Sequence, residues 1–247
     1  MKQIYRFGFT IIETMLFLAI TGLLVVAVLV GTGASINRQR YRDSITSLQS
    51  IIQQQYSEVS SVNNDRDNSW ACDSASGAVT KLSSGNSVSR GQSNCVILGR
   101  LISSSSDGTS LIINDVVGSE ISGDNQPETD VEALTQYKMH ISPVAEKTYN
   151  IEWESSLAEP GSDQIATFSI LILQSPLSGV IRTFNSPNTV IVDNNINSII
   201  NKTALTESVK ICVNSNGLFS GTRMAVVVTA GSSSAAGVET LGEASGC

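Results

Sequence analysis

Histidine is almost missing from this chain: His140 is the only one in 247 residues. A zinc site would have to draw on it and on four cysteines, Cys72, Cys95, Cys212 and Cys247, none in a C-x-x-C pair. No metal and no cofactor is expected. One histidine also leaves little material for a catalytic triad, and no Gly-rich phosphate loop, G-x-S-x-G or H-E-x-x-H occurs, so the chain reads as a non-enzyme. Proline is scarce too, five in all and none before Pro127, so nothing in the first half breaks a helix through a missing N–H. Charge is thin, 15% of residues, and unevenly placed. Of 15 Lys+Arg and 22 Asp+Glu, the first 43 residues take Lys2, Arg6, Arg38, Arg40 and Arg42 but only Glu13 and Asp43, which leaves the remainder acidic. An acidic body repels phosphate backbones, and no basic cluster follows Arg42, so nucleic acid is not an expected partner of that body.

The cysteines are few but informative. Four permit three connectivities, and Cys72–Cys95 with Cys212–Cys247 is the favoured one, because each pair closes a stretch rich in Ser, Gly and Asn. Each closure would stabilise the fold by roughly 3–4 kcal/mol in the chain-entropy picture. A bond at Cys247 would pin an end that otherwise frays. Disulfides of this kind imply an oxidising compartment outside the cytoplasm.

What the chain does have is one long apolar run. From Thr14 to Val30 every residue is apolar or small, about 26 Å of helix, close to the roughly 30 Å of a bilayer's hydrocarbon core. Glu13 heads this run, and an ionisable group at a membrane boundary marks function and wants a partner. Beyond the run, Ile45, Leu48, Ile52, Tyr56 and Val59 recur at three- and four-residue steps, a helical stripe. One helix from Phe9 to residue 60 is therefore predicted, its first half membrane-spanning (9–30) and its second half amphipathic. Gly31 and Gly33 are its weak points, each costing up to about 1 kcal/mol relative to Ala.

The residues Gly8-Phe9-Thr10-Ile11-Ile12-Glu13, followed by a charge-free apolar run, resemble the prepilin signal of type IV pilins and pseudopilins. The resemblance covers Met1 to about Val59. It implies a leader over residues 1–8 that a prepilin peptidase removes after Gly8, methylation of the new amine on Phe9, and polymerisation through the N-terminal helix. Glu13 would then meet the Phe9 amine of a neighbouring subunit during assembly. The implied function is a structural or initiating subunit of a type IV pilus-like filament used for adhesion, motility or DNA uptake. The alternatives are a pseudopilin of a type II secretion system, or a membrane-anchored secreted binding protein or hydrolase. Implied partners are other pilin subunits, the peptidase, a platform membrane protein and, indirectly, an assembly ATPase. The implied location is a single-pass membrane protein with its head outside the cytoplasm, and an extracellular filament after assembly. The chain departs from many filament pilins in having no proline midway along the helix. An ordinary secretory signal would be cut near Gly31-Thr32-Gly33-Ala34-Ser35, but gives no reason for Glu13.

Residues 61–247 read as a β-rich head. Loop is predicted over 61–94, followed by strands at Cys95–Ile102, Ser110–Val117, Gln136–Ile141, Thr148–Trp153, Ala166–Leu173, Gly179–Phe184, Ser208–Val213 and Met224–Thr229. The Ser/Gly/Ala stretch Gly231–Gly237 is expected to be flexible. The acidic stretch 123–130 fits no EF-hand spacing and reads as a solvated loop, and His140 reads as structural. The expected class is α+β: a long N-terminal helix packed on an antiparallel sheet.

Overall fold

An unbroken α-helix, α1 (Ile11–Ser60), runs through both the apolar run and the amphipathic stripe. The computed structural model describes residues 8, 10–62, 66–89, 91–93, 95–121, 126–144, 146–200, 205–217, 221, 223–242, 246 and 247. Gly31 and Gly33 lie within the helix, and a Cβ at either would point into open space. The stripe is the buried face. Ile45, Leu48, Ile52 and Val59 are at most 1% exposed, and the stripe extends one turn further back, to Tyr41. Six apolar side chains buried at roughly 1.5–3 kcal/mol each fasten this half firmly, even discounted for a compact unfolded state.

After the helix comes a small hairpin, β1 (Trp70–Cys72) with β2 (Val79–Lys81). Two long strands follow, β3 (Cys95–Ser104) and β4 (Ser110–Glu120), then the short helix α2 (Asp130–Thr135). The next strands are β5 (Tyr137–Ile141), β6 (Lys147–Asn150), β7 (Ser156–Ala158), β8 (Phe168–Gln174) and β9 (Ile181–Pro187). A helical turn, α3 (Ile196–Ile199), leads to β10 (Val209–Asn214), β11 (Met224–Val228) and β12 (Val238–Leu241). All pairings are antiparallel. The larger sheet has the order β5-β4-β3-β8-β9, with β6 also on β4, and the smaller one β12-β11-β10-β7. The class is α+β, and each of the eight predicted strands has a counterpart here. Two expectations change. Part of the 61–94 loop is the β1–β2 hairpin. The Gly231–Gly237 stretch contains a 3-10 turn (Ala235–Gly237) that α1 holds, because Gln49 and Gln53 donate to the carbonyls of Ala235 and Val238.

β8 shows why its sequence is a continuous apolar run. Ile170 and Ile172 face the core made by the α1 stripe and by Val209, Ile211 and Val226 of the smaller sheet. Leu171 and Leu173 face the opposite side, a second core with Leu134, Phe184 and Ile196. A strand covered on both faces loses its polar alternation. At the β3 bulge the two long strands and β8 come so close that a Cβ on Gly99 would collide with the Ile172 carbonyl.

Candidate functional site

Among the described residues, nothing packs against the N-terminal half of α1 where it leaves the head. Ile11, Ile12, Met15, Leu16, Phe17, Leu23 and Leu29 are all more than 60% exposed. The helix is long and apolar enough to cross a membrane. A contiguous apolar face of this size is not left in water by a soluble monomer, so it needs lipid or other protein.

Glu13 sits at the start of that face, and its first partner lies in its own chain. Thr10 is the N-cap: its hydroxyl accepts from the Glu13 N–H at 3.3 Å, while the Glu13 carboxylate accepts from the Thr10 N–H at 3.4 Å. This capping box satisfies two of the backbone donors that a helix start leaves open. Its acidic group also complements the positive end of the helix dipole. Gly8 is exposed, and Phe9 lies outside the described residues.

The point where α1 enters the head is built from three distant segments. The Tyr41 hydroxyl donates to the Val213 carbonyl and accepts from the Met224 N–H, both at 2.8 Å, bridging a register pair of β10 and β11. Burial pushes the Tyr41 phenol above its ordinary range, with the Met224 bond opposing it. Beside it a tight turn presents Trp153 and Glu154, both left-handed at φ 57° and 55°, closed by the Ser155 N–H on the Glu152 carbonyl. Such a turn normally takes Asn or Gly, and here its neighbours hold it. Arg40 lies 4.8 Å above the Trp153 ring, Ser47 donates to Glu152 at 3.1 Å, and Asn216 donates to the Glu154 carbonyl at 2.7 Å.

At the far end of the helix, Glu58 pairs with Arg100 and with Lys147 (3.3 Å), Arg100 reaches Asp115 at 3.3 Å, and the buried Gln55 accepts from Arg100 at 2.9 Å. The pairs compensate one another, which is what half-buried charges require. Disulfides join Cys72 to Cys95, tying the β1–β2 hairpin to the start of β3, and the fully buried Cys212 to the chain end at Cys247. His140 Nδ1 lies 2.6 Å from Asp193, whose other oxygen accepts from the Ile141 N–H at 2.6 Å, so the residue straps the segment before α3 to the edge strand β5. Among the described residues no three of His, Cys, Asp and Glu gather as a metal site. Of the acidic stretch 123–130, positions 123–125 lie outside the described residues; Thr129 and Glu132 cap α2 with a second capping box, and Asp130 pairs with Arg182 at 2.7 Å.

Comparison with known proteins finds no matching family model, no matching curated protein and no matching solved structure. The sequence reading did not foresee Tyr41, the Arg40–Trp153 stack or the Glu58–Arg100 group. Tyr41 was within reach, four residues before Ile45 on the same stripe. The others join positions about 40 to 110 residues apart in a way that no local period marks.

Proposed function

We propose that this chain is a structural or initiating subunit of a type IV pilus-like filament. It is inserted in the membrane as a precursor, cleaved after Gly8 and polymerised through α1. One observation carries the reading. A single continuous helix has a distal half sealed into the head and a proximal half fully exposed and apolar, with its one carboxylate, Glu13, at the tip. That division suits a subunit whose proximal helix exchanges lipid for the same helix of neighbouring copies, while the head stays folded. Both environments satisfy apolar side chains equally, so transfer between them costs little per residue. Cleavage leaves a Phe9 amine, and in low dielectric the nearest carboxylate is its natural partner. The disulfides support placing the head in an oxidising compartment.

A second reading rests on the capping box. Because Thr10 already engages Glu13 within the chain, Glu13 need serve only to start a membrane anchor for an external binding protein. The test is mass analysis of protein from the native cell, together with its recovery in sheared surface filaments. A chain beginning at Phe9 and present in filaments is expected. A start near Ser35 would make the apolar run an ordinary signal sequence and end the filament reading, and a processed chain never found in filaments would favour the anchor.

A further inference from the structure

The charge-free part of α1 is longer than its apolar run. No charged residue occurs between Thr14 and Asn37, about 36 Å of helix, which exceeds a hydrocarbon core of roughly 30 Å by part of one headgroup layer. The next charged residues are Arg38, Arg40 and Arg42. Successive helical positions turn by about 100°, so Arg38 and Arg42, four apart, share one face of α1 while Arg40 lies nearly opposite, and the three reach two sides of the helix. Trp153 comes to the same level from the head, 44% exposed and stacked on Arg40, on a turn with two left-handed non-glycine residues. Backbone strain of that kind persists where its surroundings impose it, and it directs a hypothesis of function to the place where it occurs. Here it keeps the indole at the base of the head. Tryptophan and arginine are the side chains that favour the membrane–water boundary, apolar in the body and polar at the tip.

We propose that Arg38, Arg40 and Arg42, with Trp153, form a girdle that binds anionic phospholipid headgroups on the face of the membrane that carries the head. The proposal rests on the reading of α1 as a membrane span. Acidic groups are near: Asp43 follows the three arginines along the helix, Glu152 accepts from Ser47, more than one turn beyond Arg42, and the exposed Glu154 follows Trp153 on the same turn. Along α1, leaving the membrane, the cations therefore come first and the anion Asp43 second. An acidic head is repelled by an anionic surface while the girdle is drawn to it. The two forces fix the depth of the helix and hold the head clear of the lipid.

The test uses the full-length chain in nanodiscs. Trp70→Phe leaves Trp153 as the reporter, since the protein has two tryptophans. Discs of phosphatidylcholine, with or without phosphatidylglycerol, carry a nitroxide quencher on the headgroup. Quenching of Trp153 should be about threefold stronger in the phosphatidylglycerol discs and should fade with added salt. The variant Arg38→Gln/Arg40→Gln/Arg42→Gln should abolish the difference, and the three Arg→Lys changes should restore it. Arg38→Gln/Arg42→Gln, which leaves the Arg40–Trp153 stack in place, should reduce it even if the triple variant folds poorly. Equal quenching in the two lipids, with residues 14–30 protected from protease, overturns the girdle and leaves the membrane span standing. Loss of that protection overturns the membrane reading and the girdle with it.

Discussion

Glu13 illustrates how much a single side chain can be asked to do. In the isolated subunit it completes a capping box with Thr10; in the proposed filament it also neutralises a neighbour's amine. Glutamine serves as well as glutamate at the third position of a capping box, so Glu13→Gln separates the two roles. We expect Glu13→Gln to keep the cap and membrane insertion but to lose filament incorporation. Leaving a buried charge without its partner costs about 3–5 kcal/mol, a factor of a hundred or more in assembly. Glu13→Ala should lose both. Normal recovery of both variants in sheared filaments would show that Glu13 is not the amine's partner. At Tyr41, replacement by Phe strands the Val213 carbonyl and the Met224 N–H, and the head should lose about 1–3 kcal/mol in denaturant melts. Burial raises the phenols of Tyr41 and Tyr56 above 10.0. Their contribution is complete below pH 10 and is lost as pH rises through the higher folded value, so alkaline titration should show both ionising late and together with unfolding. Asp107 has the opposite sign. Ser105 and Thr109 donate to it at the β3–β4 turn and hold it at about 2, below 3.8. That support is full above pH 3.8 and disappears as pH falls toward 2, so proton exchange at the Thr109 amide should quicken over that interval.

At the scale of elements, α1 behaves as two helices joined end to end, and substitution should reveal the joint. Ile52 is completely buried in the main core, so Ile52→Ala should cost the head about 2–5 kcal/mol. Leu24, at 57% exposure, touches no part of the head, and Leu24→Ala should leave its thermal melt within about 0.5 kcal/mol of the parent. In the filament reading, the second change should act on assembly alone. Matched melts in detergent and filament yields would show it, and a fall in head stability from Leu24→Ala would contradict the division. Among the strands, the β3–β8 approach at Gly99 is the least tolerant place. The atom that an alanine Cβ would meet is a backbone carbonyl in the centre of the sheet, which has no rotamer to yield.

Across the whole molecule, the two disulfides hold different things. Cys72–Cys95 secures a peripheral hairpin to the larger sheet, whereas Cys212–Cys247 fastens Cys247 to the interior of the smaller one. Non-reducing peptide mapping should return these two pairs, and a Cys95–Cys212 peptide would overturn them. Losing Cys72–Cys95 should loosen the hairpin locally. Cys247→Ser should be milder than Cys212→Ser, which places a hydroxyl at a position with 0% exposure. With the core shared by α1 and both sheets, the distal helix cannot leave without opening all three.

The division of α1, the α+β class, the larger strands and the cysteine pairing were legible in the sequence, because each is written in a local period or a local composition. Ile45, Leu48 and Ile52 mark a buried face by spacing alone, and Thr14–Val30 marks an exposed apolar one by length. The three-residue strands β1, β2 and β7 and the four-residue β12 were not legible, nor was the sheet order. Strands that short have little preference of their own and form because a neighbouring edge offers its N–H and carbonyl groups. The Tyr41 bridge, the Arg40–Trp153 stack, the Arg100–Glu58 pair and the His140–Asp193 strap belong to the same class. Each joins residues that only the folded sheets bring within reach, so the tertiary structure alone decided them.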